Sequence, residues 1–165
     1  MYKSNKKYSN NRRNNNTNEF YDLNIKKLLI DYVYDNVKMS NYNYKLLQFE
    51  YDLAVLNDNK YYVSPNYNGI NCLLVFKKIE DYYYSLIIDR RTLTYNKTQL
   101  NYETIKIIPI NIRLDENIYK GSIIDGVLLY NNNRRNKINN KNFVINDIYF
   151  FRGEDLTKDK IKHKI

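Results

Sequence analysis

Four short polar signatures in this chain combine residue types and spacings that could do chemistry, and each sits at the edge of an apolar run. The first is Asn66-Tyr67-Asn68-Gly69-Ile70-Asn71, the second Ile88-Asp89-Arg90, and the third Ile124-Asp125-Gly126-Val127. The fourth is Phe143-Val144-Ile145-Asn146-Asp147-Ile148, followed by Arg152-Gly153-Glu154-Asp155-Leu156. Guanidinium groups of this kind contact phosphates through charge-assisted hydrogen bonds, and carboxylates organise divalent ions. A Ser/His/Asp or Cys/His relay does not fit, because the one histidine, His163, stands in a lysine-rich tail. Neither G-x-x-x-x-G-K-[ST] nor G-x-G-x-x-G occurs, so the common phosphate cradles are absent. The acidic pairs Glu80-Asp81, Asp115-Glu116 and Glu154-Asp155 make no catalytic dyad, since neighbours on a strand point to opposite faces.

Each signature also has a plainer reading. Asn68-Gly69 and Asp125-Gly126 are turn dipeptides, as both residues of each tolerate positive φ. Asp89-Arg90 reads equally as a strand-end ion pair, worth under about 1 kcal/mol if exposed.

The elements that must position these groups follow from the pattern of apolar residues. From 20 to 37, Phe20, Leu23, Leu28, Leu29, Tyr32, Val33 and Val37 recur at helical steps, with Asn18 and Glu19 as the start signal. Residues 49–56 fit a short helix or a strand, and 40–48 are ambiguous. Beyond them, runs rich in β-branched and aromatic residues predict strands at 61–63, 70–76, 83–88, 104–110, 122–130 and 143–151. The segment 131–141, NNNRRNKINNK, is a basic surface loop between two strands, and 156–165 is a short helix or a fraying tail. No run between these strands is long enough for a helical crossover, so the sheet is antiparallel. Residues 1–18, with Lys3, Lys6, Lys7, Arg12 and Arg13 and no acid, bury too little apolar surface to order, which leaves a disordered basic tail before a single domain at 19–165.

Composition bounds the partners. The net charge of +9 points to nucleic acid or another polyanion, although the wealth of Asn, Tyr, Lys and Ile is also what an A+T-rich coding sequence produces. With 19 tyrosines and no tryptophan, phenols must serve both core and surface. Cys72 has no disulfide partner, and no Cys/His cluster exists for zinc, which fits a reducing, cytoplasmic setting. No run approaches the roughly 18 apolar residues of a membrane span, and the N-terminus lacks a signal core, so no membrane is expected.

The run YYVSPNYNGINCLLVF, followed by SLIIDRRTLTY, IYKGSIIDGVLLY and FVINDIYFFRGEDL, resembles the covalent nucleotidyltransferase family, and within it the guanylyltransferases of viral and eukaryotic mRNA capping enzymes. In that family a strand carrying K-x-D-G-x-R precedes an apolar strand ending in I-D-R. A strand in L-D-G-E and an F-x-x-x-D segment leading to a G-x-D turn follow. The likeness covers residues 61–156, and four motifs in register carry a weight that no single one has. The departures matter as much. Asn66 stands where the family has the lysine that attacks the α-phosphate, Asn68 where it has Asp, and Asn71 where it has Arg. A carboxamide nitrogen is not nucleophilic and forms no phosphoramidate. Val127 replaces the Glu that helps to organise the metal, and the chain stops before the family's K-x-D-G strand and oligonucleotide-binding domain.

The resemblance therefore implies an α+β fold, mainly antiparallel sheet with N-terminal helices: a shortened nucleotidyltransferase scaffold with no catalytic residue of its own. Its expected role is binding of nucleotide, RNA cap or RNA within a larger capping or transcription complex of viral type. The residues implied are Asn66, Asn68, Gly69, Asn71, Lys77, Asp89, Arg90, Asp125, Arg134 and Arg135, with Lys78 and Arg91 as further phosphate contacts. No cofactor is implied, with Mg²⁺ entering only alongside a bound nucleotide. Two rivals stand beside this: an assembly protein acting through a tyrosine-rich surface, and a residual enzyme in which Lys60 or Lys77 replaces the lost nucleophile.

Overall fold

The computed structural model describes residues 22–39, 49–50, 53–54, 65–131, 140–160 and 163–164. The expected basic tail, the strand at 61–63, the segment 40–48 and Arg134-Arg135 lie outside the described residues. Of the 49–56 segment, Glu50, Leu53 and Ala54 are helical.

Helix α1 spans Leu23–Asn36, and its start differs from the expected one. Asp22 is the N-cap, its carboxylate accepting from the Asn24 and Ile25 amides, which satisfies donors that the first turn leaves without partners. The buried stripe is Lys26, Leu29, Ile30 and Val33, continued by Val37 beyond the helix. Leu23 and Leu28, expected on this stripe, are about half exposed. Lys26 takes an inner position by laying its aliphatic stem on the core while its ammonium donates to the Glu103 carbonyl at 3.1 Å.

The rest is a six-stranded antiparallel sheet in the order β3-β2-β1-β4-β5-β6. Its strands are β1 Ile70–Ile79, β2 Tyr82–Asp89, β3 Ile107–Pro109, β4 Ser122–Asn131, β5 Asn140–Phe151 and β6 Glu154–Asp155. The mixed α+β class, the antiparallel sheet and five of the expected strands are thus present, with shifted ends. Asn131, Asn140 and Lys141, expected in the basic loop, extend the β4–β5 ladder, with Tyr130 opposite Lys141 and Asn131 opposite Asn140. The strand expected at 104–110 shrinks because Asn101 closes a turn, its carbonyl accepting from the Thr104 amide. Glu80 and Asp81 form the β1–β2 connection, with a left-handed φ of 52° at Glu80. Past β6, residues 157–160 continue in turns.

Two cores flank the sheet. On one face, Leu73, Val75, Leu86, Ile88, Ile107 and Ile123 meet Leu29, Ile30 and Val33 of α1. On the other, Cys72, Ile87 and Leu128 form one cluster and Phe76, Tyr119 and Ile124 another. Residues Tyr84 to Asp89 are buried without a break, because β2 is covered on both faces. Tyrosine builds much of this interior. The Tyr119 ring stands edge-on to Phe76 and Tyr83, and its hydroxyl lies 2.9 Å from the Ser85 hydroxyl, both within 3.1 Å of the Ile112 carbonyl. The tyrosines exposed among the described residues are Tyr67, Tyr95 and Tyr130.

The two glycines of the Asn-Gly and Asp-Gly dipeptides do not form positive-φ turns. The hairpin turn of that kind is Arg152-Gly153, with φ of 56° and 89°, joining β5 to β6. Gly126 lies inside β4, where an added Cβ would overlap the Val144 carbonyl oxygen and come within 2.7 Å of two Phe143 ring carbons. Glycine is needed there because the neighbouring strand passes too close for a side chain. Gly126→Ala is therefore expected to cost about 1–3 kcal/mol, lowering the melting temperature by about 2–4 °C per kcal/mol. Thermal unfolding of the variant checks this, and an unchanged midpoint would contradict the close approach.

Candidate functional site

A cavity of about 540 Å³ opens where the chain leaves α1 and the ends of the central strands meet. Asn71 enters it from β1, Arg90 and Arg91 from the 3-10 turn after β2, Asp125 from β4 and Asn146 from β5. Met39, Leu93, Thr94 and Tyr95 complete the described wall. Each of the four signatures supplies one lining residue: Asn71, Arg90, Asp125 and Asn146.

The register explains the meeting. Antiparallel pairing sets Leu73 opposite Asp125, so the carboxylate shares the face that α1 covers. Asn71 faces Val127 one pleat away. β2 then ends at Asp89, which caps the turn Arg90–Thr92 by accepting from the Arg91 amide. That turn aims Arg90 across β1 to Asp125, with Nη1 2.5 Å from Oδ1 and side chains 20% and 9% exposed. Asn146 arrives differently. The β4–β5 register shifts between Asp125 and Gly126, leaving Asn146 as an extra residue on β5, and shifts again between Ile123 and Ile124, leaving Tyr149. Such bulges re-aim side chains and recur beside functional sites.

The outer wall is fastened to α1. The Tyr34 hydroxyl donates to the Thr94 carbonyl at 2.6 Å and accepts from the Thr94 amide. Lys97 reaches Asp31 and Asp35 at 3.1 and 2.8 Å, and the Tyr102 hydroxyl donates to Asp31. Tyr95, one residue past Thr94, is left 81% exposed at the cavity.

The electrostatics are those of two closed pairs. Asp89 pairs with Arg91, not with Arg90 as the dipeptide suggested: Arg91 donates through Nε at 3.0 Å and Nη2 at 2.6 Å. These bonds hold the Asp89 carboxyl below its ordinary value against the opposing effect of burial. Asp125 moves the other way. Burial raises it, Arg90 lowers it, and Asp147 directly opposite on β5 raises it again, for a net rise. Asp147 in turn holds the Lys164 ammonium at 2.9 Å, a lysine side chain only 3% exposed. Burial pushes the Cys72 thiol up to about 12, with Asp89 and Asp125 adding to it, so it is no nucleophile.

The other sequence-derived residues lie elsewhere. Asn66 and Asn68 are exposed on the approach to β1 and do not appear in the cavity wall. Gly69 packs against β4, where a Cβ would come within 2.6 Å of the Leu128 carbonyl. Lys77 sits over the Tyr32 ring at 4.4 Å and donates to the Lys120 carbonyl, away from the cavity, so it is no stand-in for the missing nucleophile. Lys78 lies near the Tyr83 ring, and Lys60, the other stand-in, lies outside the described residues. Asn146, although it stands within the fourth signature, and Tyr95 are not among the binding residues expected from the sequence. The signal for Asn146 was a polar pair, Asn146-Asp147, inside an apolar strand, whereas nothing local marks Tyr95.

Among the described residues, Asp125 is the one carboxylate in the wall, no lysine lines it, and no group of three acidic, His or Cys residues forms a metal site. No described helix is long and apolar enough to cross a membrane.

No protein-family model matches the chain. Over 114 residues, 68% of its length, it is 26% identical to an uncharacterized protein of Acanthamoeba polyphaga mimivirus. The chain spans about a third of that relative, 32% of its length.

The opposed shifts of Asp89 and Asp125 predict opposite pH signatures. Asp89, lowered, contributes stability that is present above its ordinary value of 3.8 and lost as pH falls through its folded value. Asp125, raised, contributes stability that is full below 3.8 and lost as pH rises through its folded value. Urea unfolding from pH 3 to 8 should show Asp89→Asn weakest relative to wild type at neutral pH, and Asp125→Asn gaining on wild type as pH rises. Parallel curves for the two variants would contradict the assignment.

Proposed function

We propose that the chain is a non-catalytic nucleotide-binding module, similar to the nucleotide-binding half of a capping guanylyltransferase without its nucleophile. In this reading it holds a nucleotide or the 5′ end of an RNA as a subunit of a capping or transcription assembly. The observation that supports it is the convergence of Asn71, Arg90, Asp125 and Asn146, one from each signature, on a single cavity. A cavity of about 540 Å³ falls in the range of small-molecule sites, roughly 300–1,000 Å³. Arg91, with its side chain 64% exposed and its guanidinium fixed by Asp89, is placed to meet a phosphate. The exposed Tyr95 ring offers a stacking surface for a base. Covalent transfer has no support: the position aligned with the attacking lysine is Asn66, and it is exposed outside the wall. Magnesium would enter with the ligand's phosphates, with Asp125 as its one described protein carboxylate in the wall.

The assembly reading rested on a tyrosine-rich surface. Because the described tyrosines are mostly buried or half-buried in the two cores, that reading has less to stand on.

Thermal unfolding against GTP, ATP, a methylated cap analogue and a short single-stranded RNA, each with and without magnesium, tests the proposal. A ligand at about a hundred times its dissociation constant adds about 2.7 kcal/mol, a shift of several degrees in a domain of this size. GTP or the cap analogue is expected to give that shift. Tyr95→Ala is expected to shrink it while leaving the unliganded midpoint within about 1–2 °C, as its side chain is largely exposed; Arg91→Ala is expected to shrink it as well, from a lowered unliganded midpoint, because the buried Asp89 loses its partner. Absence of a shift with every nucleotide would overturn the binding reading and send the search to protein partners.

A further inference from the structure

We infer that the cleft is one end of a binding path for single-stranded nucleic acid, which continues over the strand ends from Tyr95 past Arg91 to Tyr130 and Lys141. The inference rests on the cavity holding a nucleotide and names the class of ligand to which that nucleotide belongs.

The cavity wall suits a ligand whose charge is spread out. Its two arginines meet two aspartates, and no lysine lines it among the described residues. Arg90 is closed onto the buried Asp125, with its own side chain 20% exposed. Arg91 uses two of its five side-chain donors on Asp89 and is largely in solvent, so the remaining donors meet a phosphate without breaking that pair. The described wall thus offers Arg91 as its open anion seat. A triphosphate places one phosphate there and leaves the others without a counterion in that wall. A strand of nucleic acid carries its charge one phosphate at a time along the chain, which matches an extended site better than a deep one.

Arg91 also marks where the path leaves the cleft. Its partner Asp89 ends β2 opposite Cys72, and Cys72 pairs with Gly126 of β4, so these positions share the sheet face away from α1. Two residues along β4, Leu128 packs with Cys72 on that face. Two further on stands Tyr130, about 13 Å from Gly126 along the strand. Asp89 most of all, then Cys72 and Tyr130, favours the charged guanidinium of Arg91, which therefore stands within electrostatic reach of that ring while it also lines the cavity.

Tyr130 and Lys141 repeat the chemistry of Tyr95 and Arg91. They are register partners near the end of the β4–β5 ladder, with the Lys141 ammonium 5.6 Å from the centre of the Tyr130 ring. Tyr130 is 46% exposed and Lys141 is exposed, so a base stacks on the ring and a neighbouring phosphate meets the ammonium. Lys106, also exposed, adds a cation beside Asp89, whose amide donates to the Lys106 carbonyl at 3.0 Å. Rings spaced along a line of cations recognise unstacked bases, which a double helix keeps inside.

The probes are a labelled ten-nucleotide RNA, the DNA of the same sequence and the RNA annealed to its complement, followed by fluorescence anisotropy, with GMP and GTP titrated separately by calorimetry. The single strand is expected to bind at least about tenfold more tightly than GMP, GTP or the duplex. Tyr130→Ala is expected to weaken the strand about fivefold or more, and Lys141→Ala to lower the slope of log affinity against log salt by about 0.7. Both variants are expected to keep the wild-type affinity for GMP, which also shows that they fold. RNA bound more tightly than DNA would assign the path to RNA, and equal affinity to single strands of either sugar; both support it. Binding of GMP and GTP with no gain from the strand, or a gain that both variants leave intact, would overturn the path alone. Failure of GMP, GTP and every strand to bind would overturn the nucleotide reading and the path with it.

Discussion

The contact between Arg90 and Asp125 is the constraint around which the described structure closes. It ties the end of β2 to the middle of β4 across β1 by a polar contact, where the rest of their meeting is apolar packing and the ladders. A buried ion pair contributes little net stability, because desolvation of both charges offsets most of their attraction. Its effect here is geometric: the turn after β2 is held over the sheet, and the segment from Leu93 to Tyr95 that follows it lines the cavity. The fastening of Thr94 to Tyr34 secures the same segment from the α1 side. Removing either partner would leave a charge in a place where water reaches it poorly.

The sheet was legible in the sequence because its strands are short apolar runs bounded by Asn, Asp, Gly and Lys, a pattern that depends on local chemistry alone. The start of α1 was not, since Asn18-Glu19 and Asp22 are both acceptable caps by type and only the position of the buried stripe selects the latter. Lys26 deceived the pattern in the same helix: a long stem with a distant partner carbonyl behaves as an apolar residue. Three of the expected binding residues, Asn71, Arg90 and Asp125, line one cavity because strand ends from different parts of the chain are registered side by side. Asn146 stands in the fourth signature, but its turn toward the cavity is not legible there because a bulge is defined by the partner strand. Asp89 was assigned the wrong partner because adjacency in sequence does not tell which of two arginines a turn will fold back.

Net charge and the charges of the site act at different ranges. The chain carries +9 overall, yet the described charged residues of the wall and their partners balance, two arginines against two aspartates. Net charge draws a polyanion toward the molecule from a distance, whereas the pairs decide what happens on contact. A composition shaped by coding bias can supply the first without any bearing on the second. The relative in Acanthamoeba polyphaga mimivirus is about three times as long as the segment it shares with this chain, so the matched region is one part of a larger protein there.

The two extra residues on β5 have an effect that neither has alone. A single insertion inverts the in-and-out phase of every side chain beyond it. Phe143 and Ile145 keep the phase set by Leu128 and Gly126; after Asn146 the phase flips, which turns Asp147 to the Asp125 side; after Tyr149 it flips back, and Phe150 rejoins the core under α1. The strand thus carries a short inverted window between two compensating shifts. Inside that window Asp147 faces Asp125, while Ile148 and Tyr149 still pack into the cores on opposite faces of the sheet. Two insertions thus turn one carboxylate toward the Arg90–Asp125 pair and leave the hydrophobic layers in step.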